Sequence, residues 1–205
     1  MKRPGGPTIR TLVPGKRAAP QGEEVAVDNA LYLLKQISET QGIPVLLIGA
    51  YALQAYGVIR QTLDVDVLIS EADVSAADAG LRRAGYTEVV RSEIFARYRH
   101  SSTELADVDV LYVDSETAKR MVGEAREYSL AETTCLVPTL PNLLALKLHA
   151  IRSDPRRESR DFADIIELVR ANPEGIGKDE LNGLCVRYGP KGIWEKVKGA
   201  LWNIP

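Results

Sequence analysis

The segment that most restricts the fold of this chain is an apolar run interrupted by two aspartates, Leu63-Asp64-Val65-Asp66-Val67-Leu68-Ile69. Side chains alternate between the two faces of a β-strand, so a strand here projects Asp64 and Asp66 together from one face. The predicted opposite face consists of Leu63, Val65, Val67 and Ile69. Two neighbouring carboxylates repel each other, and the hard cations Mg²⁺ and Mn²⁺ take oxygen ligands that substrate phosphates commonly complete. The pattern therefore predicts a metal-binding strand and favours phosphoryl chemistry.

A strand, a glycine and a helix are predicted just before this run. The apolar segment Ile43–Ile48 precedes Gly49, the segment Ala50–Tyr56 has helical character, and Gly57 is typical of a helix end. Backbone N–H groups at a helix start, together with the positive end of the helix dipole, favour phosphate binding. One glycine between a strand and a helix is a common connection, so the paired aspartates downstream are what favour a functional role for this turn.

A third carboxylate is predicted on a second strand, Leu105–Val113. Alternation places Asp107 and Asp109 on the same face, so both are candidates for the metal site. The alternative is an edge strand whose aspartates are solvated and prevent aggregation.

Two helices are predicted in the second half of the chain. In the first, Thr139–Ile151, periodicity favours a Lys147 side chain that extends to solvent, and anion binding is the alternative. In the second, Ser159–Arg170, Asp161 and Asp164 share a face, where acidic residues near a helix start are ordinarily favoured by the dipole. The segment between them carries four arginines, Arg152, Arg156, Arg157 and Arg160, and is predicted to be either a solvated loop or a binding site for a triphosphate or RNA backbone.

The order and spacing of these motifs resemble the nucleotidyltransferase superfamily with the DNA polymerase beta-like fold, and within it the AbiEii-type toxin nucleotidyltransferases. The likeness runs from about Val45 to Val169. The residues that carry it are Gly49-Ala50, Arg60-Gln61-Thr62-Leu63-Asp64-Val65-Asp66, Asp109, Lys147 and Asp161. Ala50 stands where the family normally has Gly or Ser.

The resemblance implies an α/β nucleotidyltransferase fold, with a mixed β-sheet flanked by helices and a helical C-terminal part that closes the nucleotide cleft. It implies transfer of a nucleoside monophosphate from an NTP to an acceptor hydroxyl, with Mg²⁺ or Mn²⁺ as cofactor. The implied metal ligands are Asp64, Asp66 and Asp109. Lys147 and Asp161 complete the implied catalytic set, and Gly49, Ala50, Arg60, Thr62 and Arg160 are the implied nucleotide-binding residues.

The toxin-type resemblance implies RNA as the acceptor, above all the tRNA 3′ end, and a cognate antitoxin protein as a partner. Two alternatives are a small-molecule nucleotidyltransferase of the aminoglycoside-modifying kind, which needs an acidic pocket, and a nucleotide-binding regulatory protein without turnover. Three retained acidic positions argue against the regulatory protein.

Composition limits the other possible classes. The 205 residues, 45% hydrophobic and 26% charged, suffice for one core or for a domain with a small helical annex. A net charge of −2 and an isoelectric point near 5.8 argue against a nucleic-acid coat protein, and they permit local RNA contacts. The sequence has no stretch with the length of a membrane span and no signal-peptide hydrophobic region, so we expect a cytoplasmic protein without membrane association.

Few residues are available for thiol or imidazole chemistry. Cys135 and Cys185 lack metal-ligand spacing and are predicted to be free, partly buried thiols. Only His100 and His149 occur, so a zinc site or a serine–histidine triad is poorly supported, and His149 is predicted to lie on a helix surface.

The predicted domain organisation has three parts. Residues 1–23 form a basic arm, because the first twenty residues hold five basic residues, four prolines and three glycines and no acidic residue. Residues 24–138 form the nucleotidyltransferase core, and residues 139–205 form the helical C-terminal part. Further predicted helices are Val25–Ile37, Val74–Ala84, Lys178–Tyr188 and Ile193–Trp202, and further predicted strands are Tyr86–Val90 and Ile94–Arg99. Trp194 and Trp202 share a face of the last helix and are predicted to pack together.

Overall fold

The computed structural model describes residues 21–130 and 132–202, so most of the predicted basic arm lies outside the described residues. The strands within these residues are β1 Leu46–Leu47, β2 Asp64–Ser70, β3 Thr87–Arg91, β4 Phe95–Arg99, β5 Asp107–Val113, β6 Arg126–Leu130 and β7 Thr133–Val137. The α-helices are α1 Gln21–Gln41, α2 Gly49–Gln54, α3 Val74–Arg83, α4 Ser115–Glu124, α5 Leu140–Ser153, α6 Glu158–Ala171, α7 Lys178–Tyr188 and α8 Ile193–Trp202.

The strands described above form one mixed sheet in the order β3-β4-β5-β2-β1-β7-β6. The central pair, β2 and β5, is parallel, and β1 pairs in parallel with β7. The remaining neighbours, β1 with β2, β3 with β4, β4 with β5 and β6 with β7, are antiparallel. The prediction of an α/β nucleotidyltransferase fold with a mixed sheet and flanking helices is confirmed in its architecture.

The two faces of β2 have different surroundings. Val65, Val67 and Ile69 are buried in the main hydrophobic core, together with side chains of α1, α3 and the C-terminal helices. On the opposite face the carboxylates give way further along the strand to Leu68, which packs with Met121 of α4 in a second, smaller cluster. The prediction that Leu63 belongs to the apolar face is wrong, because β2 begins at Asp64 and 62% of Leu63 is exposed to solvent.

Helices α5 to α8 pack on one another and on the main core. Leu143, Leu144 and Leu148 of α5 share one buried cluster with Ile165 of α6 and Val197 of α8. The predicted contact between Trp194 and Trp202 is confirmed, with ring centroids 6.0 Å apart. No helix in the described residues combines the length and the apolar character that a membrane crossing requires.

Several predicted boundaries need correction. The predicted strand over Ile43–Ile48 contains only the two residues of β1, and α1 begins at Gln21 instead of near Val25. The predicted solvated loop between the lysine-bearing and aspartate-bearing helices is instead mostly helical, because a 3₁₀ turn over Pro155–Arg157 joins α5 to α6. Helix α4 and the β6–β7 hairpin lie in a segment without predicted helices or strands.

Gly49 begins α2 with a positive φ of 62°, a backbone conformation that residues other than glycine rarely adopt. A Cβ atom at this position would lie 2.5 Å from Cγ of Asp66. Glycine therefore serves two requirements at once, since it permits the backbone conformation and leaves room for the Asp66 carboxylate on the neighbouring strand.

Replacement of Gly49 by alanine should destabilise the protein by on the order of 3 kcal/mol, because left-handed strain adds to overlap with Asp66. Gly57→Ala is the matched control, since Gly57 also has a positive φ, of 78°, and the nearest atom to its Cβ position is 4.0 Å away. The control should cost only about 1 kcal/mol of strain. Urea unfolding of both variants measures the difference, and equal destabilisation would contradict the steric role of Gly49.

Candidate active site

Three carboxylates meet on the face of the sheet opposite the main core. The parallel register between β2 and β5 places Asp66 opposite Asp109 and Asp64 opposite Asp107. One ligand oxygen from each of Asp64, Asp66 and Asp109 lies within 4.8 Å of the other two. Of the two candidates on β5, the structure brings Asp109 into this cluster, and Asp109 is buried.

The electrostatics of Asp66 fit a site for a divalent cation. Burial, and after it the nearby charges of Asp64 and Asp109, raise the pKa of Asp66 to about 6. The charges of Lys147 and Arg157 oppose this shift only in part. The three carboxylates repel one another, and Mg²⁺ and Mn²⁺ prefer oxygen ligands. Asp64, Asp66 and Asp109 are therefore a suitable set of ligands for either ion.

The sequence analysis missed Arg97, a fourth charged residue of this cluster. Arg97 lies on β4 opposite Asp109. Its Nε donates to Oδ1 of Asp109 at 2.7 Å, and its Nη2 donates to Oδ2 at 2.5 Å. The same Nη2 is 3.8 Å from Oδ2 of Asp64. The predicted strand Ile94–Arg99 places Arg97 and Arg99 on one face, but only the strand order shows that this face meets the aspartates.

Asp107, the other candidate on β5, has a different partner. Nε of Arg99 donates to its Oδ2 at 3.1 Å, in a pair that is more exposed than that of Arg97 and Asp109. Neighbouring arginines on one face of β4 thus pair with alternate aspartates of β5.

Lys147 lies in a buried ion network between α5 and α6. Its Nζ donates to Oδ1 of Asp161 at 2.9 Å and to Oδ2 of Asp164 at 2.5 Å. The lysine side chain is 6% exposed, so the expectation that it extends to solvent is wrong. Asp161 and Asp164 are also buried, and Asp161 lies in the first turn of α6 as expected.

Two arginines extend this network toward the carboxylate cluster. Nε of Arg157 donates to Oδ2 of Asp161 at 2.8 Å. Burial acts to raise the pKa of Asp161, but the hydrogen bonds from Arg157 and Lys147 and the charges of both residues lower it. Nε of Arg60 is 3.7 Å from Oδ1 of Asp164. Among the described residues this Nε is buried without a hydrogen-bond partner.

The remaining predicted nucleotide-binding residues occupy different environments. The hydroxyl of Thr62 donates to Oδ1 of Asp64, so it contacts the cluster directly. Ala50 is fully buried next to Gly49 in the six-residue helix α2. Arg160 is exposed on α6, and within the described residues it makes no ion pair with the cluster.

The other arginines of the 152–160 segment are held by local contacts. Arg152 donates to the carbonyl oxygen of Arg187 at 2.8 Å, and Arg156 pairs with Asp154 at 2.8 Å. The Arg156 side chain remains 90% exposed. Cys135 and Cys185 are free as predicted, but only Cys135 is partly buried, because Cys185 is fully buried. The prediction for His149 is confirmed, since it is exposed on α5 and contacts Arg152.

A cavity of about 590 Å³ opens beside the carboxylates. It is lined by Gly22, Ala26, Leu63, Asp64, Arg97, Thr103, Leu105, Ala106 and Asp107. Its wall combines apolar side chains with three charged ones, Asp64 of β2, Arg97 of β4 and Asp107 of β5.

Solved structures with a similar fold are nucleotidyltransferases. The antibiotic-resistance factor ANT(2'')-Ia, solved in complex with adenylyl-2''-tobramycin, is similar over 78% of this chain and 95% of its own, with a TM-score of 0.60 and 10% identity. A nucleotidyltransferase-like protein from Paracoccidioides brasiliensis is similar over 88% of this chain and 93% of its own, with a TM-score of 0.55 and 15% identity. The lincosamide antibiotic adenylyltransferase LnuA, solved with lincomycin, is similar over 70% and 96%, with a TM-score of 0.51 and 12% identity.

These identities are low, so the similarity shows the fold alone. A scan against protein-family models finds no match for this chain, and neither does a search of curated protein sequences. The chain has a nucleotidyltransferase fold, and its three clustered aspartates lie on adjacent strands of that fold.

Replacement of Lys147 by methionine should destabilise the protein by about 3 kcal/mol, because two buried carboxylates lose a shared counter-ion. Lys35→Met is the matched control. Lys35 is a half-exposed lysine 4.0 Å from Glu39, and its loss should cost less than about 0.5 kcal/mol. Urea unfolding at pH 7 measures both variants, and similar values for the two would contradict a structural role of the buried pair.

The raised pKa of Asp66 predicts a pH-dependent stability in metal-free buffer. The folded protein binds this proton more tightly than the unfolded chain does, so the contribution of Asp66 is present below about pH 4 and is lost as the pH rises through about 6. Asp66→Asn should therefore be more stable than wild type at pH 7.5 by on the order of 1–2 kcal/mol, with little difference at pH 4. Unfolding in EDTA at both pH values measures this, and a variant that is less stable at pH 7.5 would contradict it.

Proposed function

We propose that this chain is a metal-dependent nucleotidyltransferase that moves a nucleoside monophosphate from an NTP to an acceptor hydroxyl. The observation that carries the proposal is the cluster of Asp64, Asp66 and Asp109, with ligand oxygens within 4.8 Å of one another on adjacent strands of a nucleotidyltransferase fold. The raised pKa of Asp66 supports it, because carboxylates arranged in this way favour a bound cation.

The reaction joins the acceptor oxygen to the α-phosphorus of the NTP and breaks the bond between that phosphorus and the oxygen that bridges it to the β-phosphate. Pyrophosphate leaves, and the proton of the acceptor hydroxyl passes to a base. Asp64, Asp66 and Asp109 would hold Mg²⁺ or Mn²⁺, which would stabilise the negative charge of the triphosphate and of the displacement. Asp109 is the proposed proton acceptor, since it lies within the cluster on the strand beside the cavity.

The neighbouring cations supply the proposed contacts to the triphosphate. Arg60 and Arg157 have exposed surface, with 27% and 44% of their side chains accessible, and both pair with the carboxylates that hold Lys147. Lys147 itself is enclosed, so it acts on bound phosphate through its charge and by fixing Asp161 and Asp164. Gly49, Ala50 and Thr62 border the Asp64–Asp66 strand and are proposed to orient the nucleotide, with Arg160 as a more distant contact.

For the acceptor we propose RNA, above all the tRNA 3′ end, in an AbiEii-type toxin that is controlled by an antitoxin protein. The support is the motif resemblance, together with the exposed arginines Arg156 and Arg160 beside the ion network. Arginines that contact RNA phosphates make binding depend steeply on salt concentration.

A small-molecule acceptor is the second candidate, and the cavity beside Asp64 favours it. The negative charges of Asp64 and Asp107 outnumber the positive charge of Arg97 in a space of about 590 Å³ that also has apolar lining residues. A compact hydroxyl-bearing molecule with a positive charge matches this wall better than a polyanion does. ANT(2'')-Ia and LnuA, two of the similar structures, were solved with antibiotic-derived small molecules.

Incubation of the chain with each α-labelled NTP, Mg²⁺ and either purified tRNA or a panel of hydroxylated amines tests the proposal. Wild type should transfer label, and Asp66→Asn should lose activity by on the order of 10²-fold or more, because a cation-binding carboxylate is removed. Asp179→Asn, an exposed aspartate on α7, is the control and should keep wild-type turnover.

The two acceptors give different results. Label on tRNA, with a rate that falls steeply as salt rises, supports the RNA proposal, whereas label only on amines supports the small-molecule candidate. An Asp66→Asn variant with wild-type turnover would contradict the function itself.

A further inference from the structure

Arg97 makes the only ion pairs that reach the carboxylate cluster in the described residues. Its guanidinium contacts both oxygens of Asp109, at 2.7 and 2.5 Å, and lies 3.8 Å from Asp64. Asp66 has no ion-pair partner within the described part of the chain. A cation supplied by the protein itself therefore already neutralises one of the carboxylates that the proposed function assigns to a metal.

The register of the β-sheet, and not a flexible surface contact, places Arg97 beside Asp109. The register pairs Arg97 with Asp109 directly across β4 and β5. A planar guanidinium that donates two parallel hydrogen bonds to one carboxylate has the strongest geometry available to such a pair. The Asp109 side chain is 9% exposed, so solvent screens this contact less than it screens a surface salt bridge.

A divalent cation bound among the same oxygens would be repelled by the guanidinium. Charges a few ångströms apart in a partly buried site interact much more strongly than they do in water. The Arg97 side chain also has room to move, because 39% of it is exposed and it lines the cavity beside Asp64. Displacement into this cavity would free Asp109 without disturbing the strands.

We infer that Arg97 is a built-in counter-ion that competes with the divalent cation for Asp109, so that metal binding requires the Arg97–Asp109 pair to open. The inference rests on the proposed metal site. It makes Arg97 a positioning residue, which holds Asp109 in place while the site lacks a metal and lowers the affinity of the empty site for cations. Metal affinity should accordingly be lower than the three carboxylates would give in the absence of Arg97.

Mn²⁺ binding to the nucleotide-free chain tests this inference without any assay of turnover. Free Mn²⁺ is measured by electron paramagnetic resonance during titration of wild type, Arg97→Met, Arg97→Lys and Arg99→Met. Arg97→Met should bind Mn²⁺ about 3- to 10-fold more tightly than wild type, because the competing charge is removed. Arg97→Lys keeps the charge and should stay nearer to wild type.

Arg99→Met is the matched control, since Arg99 lies on the same face of β4 and pairs with Asp107, which is not part of the cluster. Its Mn²⁺ affinity should change by less than about 2-fold. Arg97→Gln provides a second neutral variant if the methionine variant folds poorly, and the rise in melting temperature on addition of Mn²⁺ should be larger in either neutral variant than in wild type.

Asp66→Asn distinguishes a failure of the metal site from a failure of the competition by Arg97. If Asp66→Asn binds Mn²⁺ as wild type does, the metal site and the proposed function both fail. If Asp66→Asn loses Mn²⁺ binding while Arg97→Met and Arg97→Gln bind it as wild type does or more weakly, only the competition by Arg97 is overturned. Tighter binding by the neutral variants, with Arg99→Met unchanged, supports the inference.

Discussion

Repulsion among the carboxylates of two paired strands is the constraint on which the rest of the site depends. The register of β2 and β5 sets Asp66 directly opposite Asp109, and the hydrogen-bonded ladder prevents the strands from moving apart. Burial and this repulsion together raise the pKa of Asp66. The positively charged residues near the cluster can be understood as a response to this excess of negative charge.

The responses come from separate parts of the fold. Arg97 acts within the sheet, because β4 is the strand beside β5. Lys147 acts from α5 and Arg157 from the 3₁₀ turn that precedes α6, and their charges partly offset the shift in the pKa of Asp66. The helical C-terminal part is therefore coupled to the sheet by electrostatics as well as by the shared hydrophobic core. A change in the orientation of α5 or α6 would alter the charge that the cluster experiences.

The sequence predicts the parts of this arrangement that depend on local patterns. Alternation along β2 and β5 identifies the aspartates, and helical periodicity gives α7 and α8 with their observed bounds. The role of Arg97 depends on which strand lies beside β5, which alternation along one strand does not reveal. The burial of Lys147 is also non-local, because a lysine on an apolar stripe extends to solvent unless another helix brings carboxylates to it, as α6 does here.

The charge of the buried network explains why its lysine is enclosed while its arginines are not. Arg60, Lys147 and Arg157 carry three positive charges, and Asp161 and Asp164 carry two negative charges, so one positive charge remains unbalanced. A fully buried surplus charge would be very costly. The structure places the two carboxylates around Lys147 and leaves Arg60 and Arg157 at the border, where water or an anion can reach them. The buried Nε of Arg60, which has no hydrogen-bond partner in the described residues, lies on this border. An anionic ligand at Arg60 and Arg157 would balance the surplus, whereas the same ligand without a cation would be repelled by the nearby aspartates. In the proposed reaction, nucleotide and metal should therefore favour each other's binding, since each supplies the charge that the other's half of the site lacks.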